Sequence, residues 1–187
     1  DATGVWTIRV RGETAIGEQV TTNVRFVYRR AEAPPHPRLY FSSTEKQALI
    51  ERTREARMAR IWEKIREEAK TRRGTGELSE GSRVFEMLDK QYLLPSLLAY
   101  FDVLNRGRLR IEANSLVAYL SNDLEARDAA KKALIEVANW SRWEPPWFKE
   151  HGQHTYYPAG QLAAVVAFGY DLLYEQLTPA ERSIVRR

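Results

Sequence analysis

Cysteine is absent from all 187 residues. That excludes a disulfide framework and a thiolate metal site, and it leaves redox chemistry silent on compartment. Histidine is scarce, at three residues. His151 and His154 stand three apart beside Glu150, but nothing completes a recognised ligand spacing, so no metal and no cofactor is expected. Long apolar runs are missing too. The longest covers 162–170, well short of the roughly 20 residues a membrane helix needs, so no membrane partner is expected. No signal-peptide pattern opens the chain. Neither a glycine-rich phosphate loop nor a serine elbow occurs. The basic residues, 29 against 25 acidic ones, are not interleaved with an RNA-binding motif, which argues against nucleic acid. The net charge of +4 leaves room for an acidic partner without requiring one.

What is there suffices for a folded body. Apolar residues make up 43% of the chain, enough for a packed core and too many for a disordered one. Residues 5–10 and 20–28 alternate with period two and are rich in β-branched and aromatic side chains, which predicts two strands joined near Gly12 and Gly17. Two strands are marginal alone, so they are expected to end a β-domain. Residues 31–37 (AEAPPHP) read as an extended linker, because three prolines exclude helix.

From there the pattern turns helical. Ser42 with Glu45, or Thr44 with Gln47, predicts a capping box. The amphipathic stripe behind it, Ile50, Met58, Ile61, Trp62, Ile65 and Ala69, predicts one helix. A loop is expected at 71–82 and a helix at 83–104, kinked or split by Pro95. A turn follows at 105–107 and a further helix at 109–120. Asn122 or Asp123 caps the alanine-rich helix after that. Residues 161–177 are apolar nearly all round, which predicts a helix buried between neighbours, entered through Pro158. Thr178-Pro179-Ala180-Glu181 is a start signal for one more helix. Consecutive helices with short connections form a bundle, a solenoid or a toroid.

The least ordinary stretch runs from Trp140 to Arg182 and opens with a bend. Trp140, Trp143, Trp147, Phe148, Tyr156 and Tyr157 crowd around two prolines and two histidines. These rings either stack on the flat faces of sugars or plug the helix ends. Tyr170, Asp171 and Tyr174 read as core partners rather than catalysts.

Two stretches carry a family resemblance. Pro35-His36-Pro37-Arg38-Leu39-Tyr40-Phe41, at a junction of strands and helices, resembles the corresponding junction of heparinase II/III-like polysaccharide lyases and oligoalginate lyases. Ala167-Phe168-Gly169-Tyr170-Asp171-Leu172-Leu173-Tyr174, followed by Leu177-Thr178-Pro179-Ala180-Glu181-Arg182, is similar to a stretch of their α/α toroid, and Val137-Ala138-Asn139-Trp140 also fits. The resemblance implies a mainly α chain. Residues 1–33 would be the last strands of an N-terminal β-sandwich-like domain, and residues 34–187 the first antiparallel helical hairpins of a partial α/α toroid. It implies a periplasmic or secreted lyase that cleaves uronate-containing glycans, of the alginate or heparin type, by β-elimination. The partner would be an acidic polysaccharide or oligosaccharide. The family's catalytic positions match points beyond the LTPAER stretch, so a longer protein is expected and no residue here receives a catalytic role. Arg83 and Lys90 fall where the toroid presents cations to a uronate carboxylate. His154, Tyr156, Tyr157 and Gln161 would reach sugar hydroxyls, with Trp147 as a stacking face. The alternative is a helical module that binds glycan or protein without cleaving it.

Overall fold

The computed structural model describes residues 4–13, 19–28, 35–74, 76, 78, 94–152 and 156–187. The chain divides into two units, residues 1–35 and 36–187. In the first, β1 (Gly4–Glu13) pairs antiparallel with β2 (Gln19–Tyr28), with Gly4 opposite Tyr28 and Glu13 opposite Gln19. The second unit is helical, and the chain is mainly α. Its described helices are α1 (Lys46–Arg52), α2 (Ala56–Arg72), α3 (Leu94–Ser121), α4 (Leu124–Ala138), α5 (Pro146–Glu150), α6 (Tyr157–Leu173) and α7 (Pro179–Val185).

Local signals place most helix ends. The Ser42 N–H donates to Glu45 Oε2 at 2.7 Å, opening a 3₁₀ turn that leads into α1. Asp123 is the N-cap of α4, its Oδ1 accepting from the Ala126 N–H at 2.9 Å. Asn122 before it takes φ +55°, a left-handed conformation that asparagine tolerates at a helix end. Thr178 and Glu181 form the capping box of α7, at 3.2 and 2.7 Å, with Pro179 in the first turn.

Three expectations fail, each for a tertiary or local reason. The helix expected to run unbroken behind residue 45 is two, because the chain turns at Thr53, where the hydroxyl donates to the Ile50 carbonyl at 2.7 Å. The turn expected at 105–107 does not form; α3 runs straight through it. Ion pairs from Arg106 to Asp102 (3.1 Å) and from Arg108 to Glu112 (3.2 Å) staple successive turns. Gly107 serves close packing instead of a turn: a Cβ there would lie 3.1 Å from Val137 Cγ2. Of the helix expected at 83–104 with a kink or break at Pro95, residues 83–93 lie outside the described residues.

The third concerns the burial of α6, and it turns on α3, which packs on α2, α4 and α6. α3 buries Tyr100, Val103, Leu104, Ile111 and Val117 together with the polar Arg110, Asn114 and Ser115. Arg110 and Asn114 are tied down as burial requires, while Ser115 Oγ has no hydrogen-bond partner. Arg110 donates to the carbonyls of Arg72 (2.9 Å) and Gly76 (3.0 Å), closing the C-terminus of α2. Asn114 donates to the Arg110 carbonyl at 3.1 Å. Helix α6, expected to be buried all round, is buried on one side only. Leu162, Val166, Gly169, Leu172 and Leu173 face the core, while Gln161, Ala163, Ala164 and Ala167 are exposed. The larger side chains fix the buried face, because area removed from water sets the gain, and alanine methyls contribute little.

Candidate functional site

The aromatic bend is built from the end of α4 outward. Trp140 is buried and its indole N–H donates to the Leu78 carbonyl at 2.7 Å. Trp143 turns back, donating to the Val137 carbonyl at 2.9 Å in the last turn of α4. These two tryptophans fix the bend and are spent on it. Trp147, on α5, stacks on His151 at 4.2 Å with 18° between the planes, and His151 Nδ1 lies 2.9 Å from the Trp147 carbonyl. The row continues through Phe148 (5.5 Å, edge-on) to Tyr156 (5.0 Å) and on to Tyr100 in the core (6.0 Å). Five rings thus run from the exposed His151 to a buried tyrosine.

Tyr157 stands apart from that row. It is 68% exposed and lies 6.1 Å from the Phe101 ring. Gln161 follows one turn later on α6, also exposed, so the pair shares a helix face. Burial, with Tyr157 nearby, pushes the Tyr156 phenol up to about 12. At neutral pH it is an un-ionised hydroxyl that can donate a hydrogen bond. Of the residues singled out from sequence, Trp147 and Tyr156 are joined through Phe148, and Tyr157 and Gln161 share an edge. Arg83, Lys90 and His154 lie outside the described residues.

A second constellation joins Tyr170, Asp171 and Tyr174, read from the sequence as core partners, to a segment whose contact with them was not visible there. Asp171, 3% exposed on α6, accepts three hydrogen bonds from the segment entering the helical unit. His36 Nδ1 lies 2.5 Å from Oδ1, and the N–H groups of Arg38 and Leu39 reach Oδ2 at 2.8 and 2.9 Å. The His36 ring stacks on Tyr174 at 3.9 Å and meets Tyr170 edge-on at 6.0 Å. Arg182 covers the Tyr174 ring at 3.8 Å. Tyr40 meets Phe168 edge-on at 5.5 Å. The His36–Pro37 peptide is cis. A buried carboxylate holding an imidazole and two main-chain amides is a structural clasp: it satisfies its own charge and orders residues 36–41. The only sequence signal for it was an acid on an otherwise uncharged helix, which has to find partners somewhere.

Among the described residues no group of three or more His, Asp or Glu side chains gathers to hold a metal ion, and no helix is long and apolar enough to cross a membrane. The chain matches no family model, and no curated protein matches it.

Proposed function

We propose that this chain is part of a polysaccharide lyase of the heparinase II/III-like kind, with the helical unit as the first hairpins of an α/α toroid forming one wall of a cleft for uronate glycans. The observation that carries the reading is the clasp. The two stretches that bear the resemblance, around His36 and around Asp171, lie 135 residues apart in sequence and meet through four groups. That contact supports reading the two stretches together, as parts of one packed unit. The ring row from His151 to Tyr156 supports a saccharide ligand, because aromatic faces suit the C–H faces of pyranoses.

In the reaction proposed, the uronate carboxylate is held by cations, a base removes the C5 proton, the C4–O bond breaks, and the leaving oxygen takes a proton. The product carries a C4–C5 double bond conjugated to the carboxylate. No residue described here is assigned as base or acid, and the protein acts in the periplasm or outside the cell. Incubation with alginate and with heparin-type glycans, followed by ultraviolet absorbance of the unsaturated uronate, tests this. A rise supports the lyase; no rise with any uronate polymer overturns it. Affinity electrophoresis in gels holding the same polymers tests the wall: Trp147→Ala and Tyr157→Ala are expected to weaken retardation while far-ultraviolet circular dichroism stays unchanged. Retardation without cleavage supports the glycan-binding module instead.

A further inference from the structure

A small recess opens where α3 ends, α4 begins and α6 ends, at the far end of these helices from the aromatic bend. The buried Ala118, Leu172 and Leu173 give it an apolar wall, and Tyr119, Asn122, Arg127 and Gln176 bring polar groups to it. Helix α4 starts here and finishes at the bend, so its 15 residues, about 22 Å of helix, separate the two places. The cavity measures about 80 Å³, room for about five waters or a molecule of similar size.

The groups left over in this recess are donors. Arg127 is engaged only through Nε, by Asp128 at 3.2 Å, so the two terminal nitrogens of its guanidinium have no partner among the described residues. Tyr119 is 9% exposed, and its hydroxyl has no hydrogen-bond partner there either, yet it is not sealed from solvent. Burial, aided by the Asp171 carboxylate, pushes that phenol above its ordinary 10.0, so it remains a protonated donor. Lys46 adds a second cation beside the recess, its Nζ 3.4 Å from Asn122 Oδ1 and 4.6 Å from the centre of the Tyr119 ring. The carboxylates close by are already satisfied. Asp123 lines the recess, but Oδ1 accepts from the Ala126 N–H at 2.9 Å and Oδ2 from Arg73 at 2.5 Å. Asp171 does not line it and is held by His36 and two amides. A guanidinium with both terminal nitrogens unengaged matches the two oxygens of a carboxylate. An inorganic anion would leave the apolar wall unmatched, and a whole uronate ring is about twice too large. We infer that this recess binds a small hydroxycarboxylate, its carboxylate on Arg127, its hydroxyl at Tyr119 and its carbon chain against Leu172 and Leu173. The site is separate from the proposed glycan wall and does not depend on it.

The test is a titration of the full chain with lactate, with lactamide and with sodium chloride, followed through the methyl resonances of Ala118, Leu172 and Leu173. Lactate is expected to shift these three and to saturate in the millimolar range. Lactamide, of the same shape without the charge, is expected to bind at least about tenfold more weakly. Arg127→Gln is expected to weaken lactate by about tenfold or more, and Arg127→Lys, which keeps the charge and loses the fork, by less. Tyr119→Phe is expected to weaken it by about threefold or more, through the lost donor. Arg127 is partly exposed and bonded only to its neighbour Asp128 among the described residues, so its variants are expected to fold, which circular dichroism checks. No shift at these methyls, equal affinity for lactate and lactamide, the same shifts with chloride alone, or indifference to Arg127→Gln overturns the inference and leaves the recess to water.

Discussion

Two glycines of α6 are expected to respond to alanine with opposite signs. A Cβ at Gly169 would lie 2.5 Å from Ile111 Cγ2, 3.1 Å from Ser115 Oγ and 3.8 Å from Leu134 Cδ1. Ile111, Ser115 and Leu134 are fully buried, so no void takes up the displaced atoms. Ile111 is β-branched and sits in a helix, where its χ1 has essentially one rotamer, so the methyl cannot swing aside. Overpacking a core costs about 1–3 kcal/mol, while glycine to alanine within a helix returns about 1 kcal/mol. With the neighbour rigid the cost lies in the upper half of that range, about 2–3 kcal/mol, so the net is a destabilisation of about 1–2 kcal/mol. Gly160 has nothing within 4 Å of its Cβ position, so Gly160→Ala keeps only the propensity gain and stabilises by about 0.4–1 kcal/mol. Urea unfolding followed by circular dichroism at the helical band reads both. Ile111→Ala should cost less in the Gly169→Ala background than alone, since it removes the clashing methyl; this coupling isolates the contact. A Gly169→Ala protein at least as stable as the parent, or a loss at Gly160 equal to that at Gly169, would refute the close approach of α3 and α6.

Other consequences follow from the buried polar groups. Asp171→Asn removes the charge and one acceptor oxygen from the clasp; a loss of about 1.5–3 kcal/mol is expected, with faster proteolysis of residues 36–41, and unchanged stability with unchanged cleavage would count against it. On the acid side, burial pushes the Asp123 carboxyl up, but the Ala126 N–H and the Arg73 guanidinium (2.5 Å) outweigh it and hold it below its ordinary value of 3.8. The Thr178 N–H, against burial and aided by Lys131, likewise holds Glu181 below 4.5. Both folded values are depressed, so their stabilisation is present above the unfolded values and is lost as pH falls through the folded ones. Asp123→Asn, which keeps a capping oxygen, is expected to flatten the melting temperature against pH below about 4, and an unchanged slope would refute the pairing. On the alkaline side, Tyr156 has a raised value, so its contribution is full below about 10 and is lost as pH rises towards about 12. Tyr156→Phe should lessen the fall in melting temperature over that interval; an identical fall in both proteins would rule out the buried phenol as its source.

What the sequence determined by itself was local. Alternation marked the two strands, and Ser42 with Glu45, Asp123, Thr178 with Glu181, and Pro158 and Pro179 marked helix starts that the structure keeps. Those signals act over four residues or fewer, so the chain around each one carries all the information needed. Which faces meet was left to the tertiary structure. Gly107 read as a turn because glycine lowers helix propensity, but its missing Cβ makes room for Val137, thirty residues on. The apolar wrap of α6 promised burial on every side, yet the stripe of Leu162, Val166, Gly169 and Leu173 is buried while Ala163, Ala164 and Ala167 stay exposed. The rings of the bend were legible as a cluster, but only packing separated the tryptophans that brace it from the Trp147–Tyr156 row and the exposed Tyr157. Asp171 shows the reason most directly: its partners are His36 and two amides 132 to 135 residues away. No local pattern encodes a pairing across that distance; the cost of burying an unpaired carboxylate imposes it once the helices have closed.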